Sequence, residues 1–312
     1  MLNIDSCCFS VHENYVSPDT KKFDKITRQK SDIEASQTYY EKKNIVPGLN
    51  KITCMPETGI VAFDISGKLL PDSHKQLISQ SNIKECFEAI NSTGYVEADC
   101  YSVLENSIVR KVDFTENIEV SNINDYLQAV SMVSSKKYNK DIYQGRGVEA
   151  GKTGVVFRGT FKSFREYLLF YDKYAETKSN INYQNILRIE SKRANFASIR
   201  KDVQAGNNLL DILTSAEKPV LKVYSRITGM NETNYKLFDN MKNIKNSQQL
   251  FYEALLQQCN DNMQTVKQYL LLANKRRATA YETLKRIEVY KRNRITTLGT
   301  DYLKDILLKL SA

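Results

Sequence analysis

Hydrophobic and polar positions along this chain change spacing about two-thirds of the way through. Over residues 1–205 short apolar runs alternate with polar ones at the two-residue period of half-buried strands, broken by single helical stretches. Residues 2–11 predict a first strand. A polar stretch over 12–44 follows, with a short strand or helix at 33–40. Residues 50–55 and 60–66 predict a hairpin around Pro56-Glu57-Thr58-Gly59. Ile83, Cys86, Phe87 and Ile90 fall at helical spacing, and Gly94 closes that helix. Two strand-like runs, 95–104 and 107–120, flank Glu105-Asn106. Ser121 then caps a helix carrying Ile123, Leu127, Val130 and Val133.

The same order of elements returns in the next segment. Residues 154–161 and 165–171 predict strands, with 159–163 spanning the turn between them. A polar, helical segment follows Lys173, a strand returns over 185–192, and Phe196, Ile199 and Val203 begin a helix. Paired strands punctuated by single helices predict an α+β domain with a mainly antiparallel sheet, not a doubly wound parallel one. The likeness of its halves hints at an internal duplication. From Asn207 onward the pattern is helical, broken at Pro219. The predicted organisation is therefore an α+β domain over 1–205, a helical connector over 206–240 and a helical domain over 241–312.

Length and composition fit a soluble globular chain. It has 312 residues, 41% hydrophobic and 26% charged. The net charge of +9 is compatible with a polyanionic partner without requiring one. The six cysteines show no CxxC spacing, and His12 and His74 are the two histidines, which argues against a zinc framework. Scattered cysteines in a chain of this size read as reduced thiols of a cytoplasmic protein. No signal peptide is indicated at the N-terminus, and no apolar run approaches the ~20 residues that span a bilayer, so no membrane partner is expected.

Charge is distributed unevenly. Between Lys275 and Arg294 lie eight basic residues and two acidic ones, six of the chain's nine net positive charges. They are Lys275, Arg276, Arg277, Lys285, Arg286, Lys291, Arg292 and Arg294, set around a helix with Tyr281, Leu284 and Ile287 on one face. A helix ending near Ala273, a short turn and a basic amphipathic helix give the outline of a helix-turn-helix that contacts DNA. The alternative is a solvated basic face on a structural helix. Gly147-Val148-Glu149-Ala150-Gly151-Lys152-Thr153 is one residue short of a phosphate-binding loop and precedes a strand, not a helix. No nucleoside triphosphate site is expected there.

The stretch from Arg165 to Glu176 carries the chemistry. An apolar run leads into Tyr171, and on a strand Tyr171 and Lys173 share a face with Leu169 and Tyr167. A phenol beside a cation suits a nucleophile aimed at a phosphodiester. Among 19 tyrosines, one that ends an apolar run is more often packing. Asp113 and Glu190 each place a carboxylate inside an otherwise apolar strand. Such a group is salt-bridged, here to Arg188 or Arg110, or is a ligand for a hard metal. Glu176 follows Tyr171 by five residues.

Taken in order, these stretches resemble the filamentous-phage gene II replication proteins and the related plasmid rolling-circle initiators. The resemblance runs from Phe63-Asp64-Ile65-Ser66-Gly67 through His74, then Arg110 to Asp113 with the helix after it, then Phe170 to Glu176, then Arg188-Ile189-Glu190. It covers about residues 60–200. Asp72-Ser73-His74-Lys75 departs from the Gly-His-Asn form, Lys111 stands where an apolar residue is usual, and no His-apolar-His pair occurs.

The resemblance implies an endonuclease that nicks and rejoins one DNA strand at a replication origin. Tyr171 would be the nucleophile, forming a 5′-phosphotyrosyl link, with Lys173 beside it. Asp113, Glu190 and Glu176 would hold Mg²⁺ or Mn²⁺. The partners implied are single-stranded and origin duplex DNA, with a host helicase and polymerase. The rival reading is a non-catalytic helix-turn-helix DNA-binding protein, a repressor or partitioning factor. A tyrosine recombinase fits less well, because both histidines precede residue 75.

Overall fold

A computed structural model describes residues 2–28, 37–71, 76–133, 135, 137–143, 154–159, 166–177, 184–203, 206–230, 247–259, 262–273, 277–293 and 297–312. The glycine-rich segment 147–153, all but Gly159 of the turn expected over 159–163, His74, Lys275, Arg276 and Arg294 lie outside them.

The protein is α+β. Among the described residues its strands are β1 (Ile4–His12), β2 (Val16–Pro18), β3 (Asp24–Arg28), β4 (Gln37–Val46), β5 (Leu49–Met55), β6 (Ile60–Ser66), β7 (Val96–Ala98), β8 (Ile108–Glu119), β9 (Tyr138–Tyr143), β10 (Gly154–Gly159), β11 (Glu166–Asp172) and β12 (Ile186–Arg193). Ten of them form one sheet in the order β3-β4-β5-β6-β1-β8-β12-β11-β10-β9, antiparallel throughout. β2 and β7 form a separate two-stranded ladder.

The order contains the same wiring twice. β1 and β8 lie innermost and pair with each other. Each is flanked outward by a meander whose last strand returns beside it, β6 to β1 and β12 to β8. The two halves of the sheet therefore follow one path.

Alternation explains which side is buried. In β6, Val61, Phe63 and Ile65 point into the core while Ala62, Asp64 and Ser66 turn the other way. The core face is covered by helices α1 (Ile83–Ser92), α2 (Cys100–Asn106), α3 (Ile123–Met132), α5 (Phe196–Asp202), α6 (Leu209–Thr214) and α7 (Pro219–Thr228), around a stacked Phe9–Phe63 pair with centroids 5.1 Å apart. A short α4 (Lys173–Glu176) follows β11. Helices α8 (Ser247–Gln258), α9 (Met263–Ala273) and α10 (Arg277–Asn293) share a second, smaller apolar cluster that includes Tyr252, Leu256, Leu270 and Ile287. The last helix, α11 (Thr297–Ser311), returns to the main core through Leu303, Ile306, Leu307 and Leu310. Tyr126 donates to Asp305 at 2.6 Å, Tyr302 to Asp125 at 3.0 Å, and Tyr224 to the Leu303 carbonyl at 2.6 Å.

Two local expectations change. The run at 95–104 is strand only over Val96–Ala98 and then turns helical, because Asp99 accepts from the Ser102 amide and caps α2. The cap of α3 is Asn122, not Ser121. The break expected at Pro219 is there: α6 ends at Thr214, and Pro219 opens α7 at its first turn, where the missing N–H costs nothing. All six cysteines are free thiols, and no helix among the described residues is long and apolar enough to cross a membrane.

On the core side an ionic network ties β11, β12, α5 and α7 together. Arg193 donates to Glu166 at 3.0 Å and to Asp202, and Arg226 reaches both acids. Tyr138 on β9 also donates to Glu166, at 3.0 Å. Arg193, Glu166 and Asp202 are at most 2% exposed, so each charge depends on its partners for solvation.

Candidate active site

The outward face of β8, β12 and β11 assembles the candidate residues. Backbone register sets Asp113 opposite Lys192, Leu169 opposite Glu190 and Tyr171 opposite Arg188. Residues two apart on β12 point the same way, so Arg188, Glu190 and Lys192 form one row between Asp113 and Tyr171.

The central contact is a hydrogen bond from the Tyr171 hydroxyl to Glu190 Oε1 at 2.5 Å. Both residues are 3% exposed. Burial first, then the Glu190 carboxylate, push the Tyr171 phenol well above its ordinary pKa, while Arg188 pulls the other way. The ring packs against Tyr143 on β9, centroids 5.4 Å apart, and against Val156 and Leu169. Gly154 lies directly opposite Tyr171 on β10. A Cβ there would stand 2.1 Å from the Phe170 carbonyl oxygen and 2.7 Å from Tyr171 Cβ, so only glycine permits this approach.

Lys192 connects the two buried acids. Its Nζ stands 3.0 Å from Glu190 Oε2 and 3.4 Å from Asp113 Oδ2. Desolvation opposes its charge, but Glu190 and Asp113 raise its pKa above that of an ordinary lysine. Ser6 donates to Asp113 Oδ2 at 2.8 Å, and Asp113 Oδ1 is buried with no hydrogen-bond partner among the described residues. Arg188 pairs with Asp5 at 2.7 Å and with Asn117 at 2.8 Å, not with either candidate ligand. Arg110 is exposed.

Lys173 and Glu176 form a pair of their own. The strand ends at Asp172, whose carboxylate accepts from the Tyr174 amide, so Lys173 opens α4 and does not continue the strand face. Its Nζ still lies 5.7 Å from the Tyr171 ring centroid and donates to Glu176 at 2.7 Å. Burial and then Arg188 lower the Lys173 pKa, with Glu176 opposing. Among the described residues no group of three His, Cys, Asp or Glu side chains converges on a metal position. The carboxylates that could face a hard cation are those of Asp113 and Glu190, since one buried oxygen of Asp113 has no hydrogen-bond partner among the described residues. Mg²⁺ is held in many sites by one or two carboxylates completed by water and phosphate.

In the helical segment α9 ends at Ala273 and α10 begins at Arg277, as the spacing predicts. Ala280 and Ile287 face inward with Leu284 packed beside them, while Arg277, Lys285 and Arg286 are exposed and Lys291 is half-buried. Arg292 belongs to the helix, but its side chain lies outside the described ones. The sequence reading missed Lys192, Ser6 and Asp5. The signal for Lys192 was its place two residues after Glu190.

No protein-family model matches the chain, and no curated protein matches it. Among solved structures, the chain is similar to a rolling-circle replication initiator protein from Geobacillus stearothermophilus. The identity is 12%, over 62% of this chain and 75% of that one, with a TM-score of 0.30.

Proposed function

We propose that the protein nicks and rejoins a single DNA strand in rolling-circle replication, with Tyr171 as nucleophile and Glu190 as its general base. The observation that carries this is the 2.5 Å hydrogen bond from the phenol to a buried carboxylate flanked by Lys192 and Arg188. The ordered resemblance of residues 60–200 to rolling-circle initiators supports it.

A protonated phenol is a weak nucleophile near neutral pH, and burial makes this one weaker. A base already in hydrogen-bond contact removes that obstacle, because the proton leaves as the bond forms; such catalysis contributes roughly 10²–10⁴-fold. In the forward step Tyr171 Oη bonds to phosphorus, its proton passes to Glu190, and the bond from phosphorus to the 3′ oxygen breaks. The leaving oxygen takes a proton from solvent on the far side of phosphorus, and Glu190 gives its own up to solvent, leaving a 3′-hydroxyl and a 5′-phosphotyrosyl link. The reverse step rejoins the strand. Arg188 and Lys173 supply positive charge close to the phenol as it develops negative charge. Asp113 and Glu190 would hold Mg²⁺ or Mn²⁺, which supplies Lewis-acid stabilisation of phosphate charge when bound. Glu176, bonded to Lys173, contributes charge balance and not a ligand. The exposed basic side chains of α10 would contact duplex DNA at the origin. A host helicase and polymerase would act on the opened strand.

The burial of Tyr171 favours one other reading. In it the hydroxyl merely ties β11 to β12, and the protein is a repressor or partitioning factor that binds DNA without cutting it. Incubation with origin single strands and Mn²⁺ separates the two. A covalent protein–DNA adduct that disappears in Tyr171→Phe supports the nickase. DNA binding by the unmutated protein with no adduct supports the rival.

A further inference from the structure

We propose that Lys192 is a built-in counter-ion competing with a divalent cation for Asp113 and Glu190, so that the ammonium must swing out before the ion is held. This rests on the reading of those two carboxylates as the metal pair. Asp113 and Glu190 are 4% and 3% exposed, and two carboxylates buried this close repel unless a cation stands between them. Lys192 Nζ is that cation, within salt-bridge range of both.

Its grip is uneven. The contact to Glu190 is 3.0 Å and the contact to Asp113 3.4 Å, and the Lys192 side chain is 38% exposed while its partners are buried. A long flexible stem whose head reaches solvent can leave without moving the backbone. When it leaves, Glu190 Oε2 and Asp113 Oδ2 lose their cation, beside an Asp113 Oδ1 that has no hydrogen-bond partner among the described residues. Three oxygens on rigid strands, with water and a DNA phosphate completing the shell, match what Mg²⁺ and Mn²⁺ accept. Ser6 keeps Asp113 oriented in either state through its 2.8 Å bond, and Tyr171 keeps Glu190 oriented through Oε1. The Lys192 ammonium thus holds the pair at low ion concentration and yields it to a doubly charged competitor.

The test is calorimetric titration of Mn²⁺ into the full chain without DNA. Lys192→Gln should bind Mn²⁺ at least ~tenfold more tightly than the unmutated protein, and Lys192→Arg, which keeps the charge, should not. Adding Asp113→Asn to Lys192→Gln should remove the gain, which places the ion at this pair. Equal or weaker binding by Lys192→Gln, or a gain that survives Asp113→Asn, overturns the proposal. Should Lys192→Gln fold poorly because two acids are left unbalanced, thermal unfolding with and without Mn²⁺ decides. The proposal expects the ion to raise the midpoint more in the variant than in the unmutated protein, and an equal or smaller rise overturns it. Neither measurement uses DNA or the reactivity of Tyr171. Failure here leaves the adduct assay intact, and absence of an adduct leaves the titration intact.

Discussion

The Tyr171–Glu190 contact lends itself to a double-mutant cycle. Tyr171→Phe removes only the hydroxyl, and the ring keeps its place against Tyr143, Val156 and Leu169. What is lost is a 2.5 Å hydrogen bond to a carboxylate that is 3% exposed. A hydrogen bond to a charged acceptor contributes ~1.5–3 kcal/mol. Glu190→Gln removes the charge and also weakens the hold on Lys192, so its single effect mixes two interactions. The cycle separates them. If each substitution acts on the pair through this contact, the coupling between Tyr171→Phe and Glu190→Gln should be about 2 kcal/mol. The chain contains no tryptophan, so urea unfolding is best followed by far-ultraviolet circular dichroism. A coupling below about 0.5 kcal/mol would mean that the phenol and the carboxylate are not energetically engaged. The assignment of Glu190 as base would then fall with it.

Other consequences follow from the same geometry. Arg193→Met should destabilise the protein by ~3–5 kcal/mol in the same unfolding assay, because Glu166 and Asp202 lose a buried partner; a loss under 1 kcal/mol would show the network to be dispensable. Burial raises the phenol pKa of Tyr171 and Tyr224, and pushes Tyr138 up to about 12. Since the folded values exceed the unfolded one of ~10, these groups support folding fully below pH ~10, and that support is lost as pH rises through the folded values. Absorbance at 295 nm should therefore show a class of tyrosines that ionises only with unfolding, one smaller in Tyr171→Phe; complete reversible titration of a still-folded chain would contradict the burial. Replacing the exposed Lys285 and Arg286 with glutamate should weaken duplex DNA binding and flatten its salt dependence in fluorescence anisotropy. An unchanged salt slope would assign α10 a structural role.

What the sequence made legible and what it did not have physical causes. The β5–β6 hairpin could be read because Val61, Phe63 and Ile65 alternate cleanly with smaller or polar residues. The α+β class and the α9–α10 boundary were legible for the same reason, since burial on one face imposes a period. Helix α2 was missed because a seven-residue helix carries too few apolar positions to distinguish its period from a strand's, and its start depends on a single cap, Asp99. Tyr171, Glu190 and Asp113 could be named from apolar strands interrupted by reactive groups. That Lys192 stands between the two carboxylates depends on the register of β8 against β12, which no local pattern encodes. Lys173 illustrates the converse. Strand alternation placed it beside Tyr171, the strand ends one residue earlier, and the fold nevertheless brings its ammonium over the ring.

The most direct test of Tyr171 as nucleophile is to map the attachment site. The unmutated protein would be reacted with an origin single strand and Mn²⁺, digested with protease and nuclease, and analysed by tandem mass spectrometry for the phosphotyrosyl residue. The expected result is a 5′-linked nucleotide on the peptide that carries Tyr171, and none on Tyr167 or Tyr174. A nucleotide on another residue would contradict it, and so would DNA binding without any covalent product.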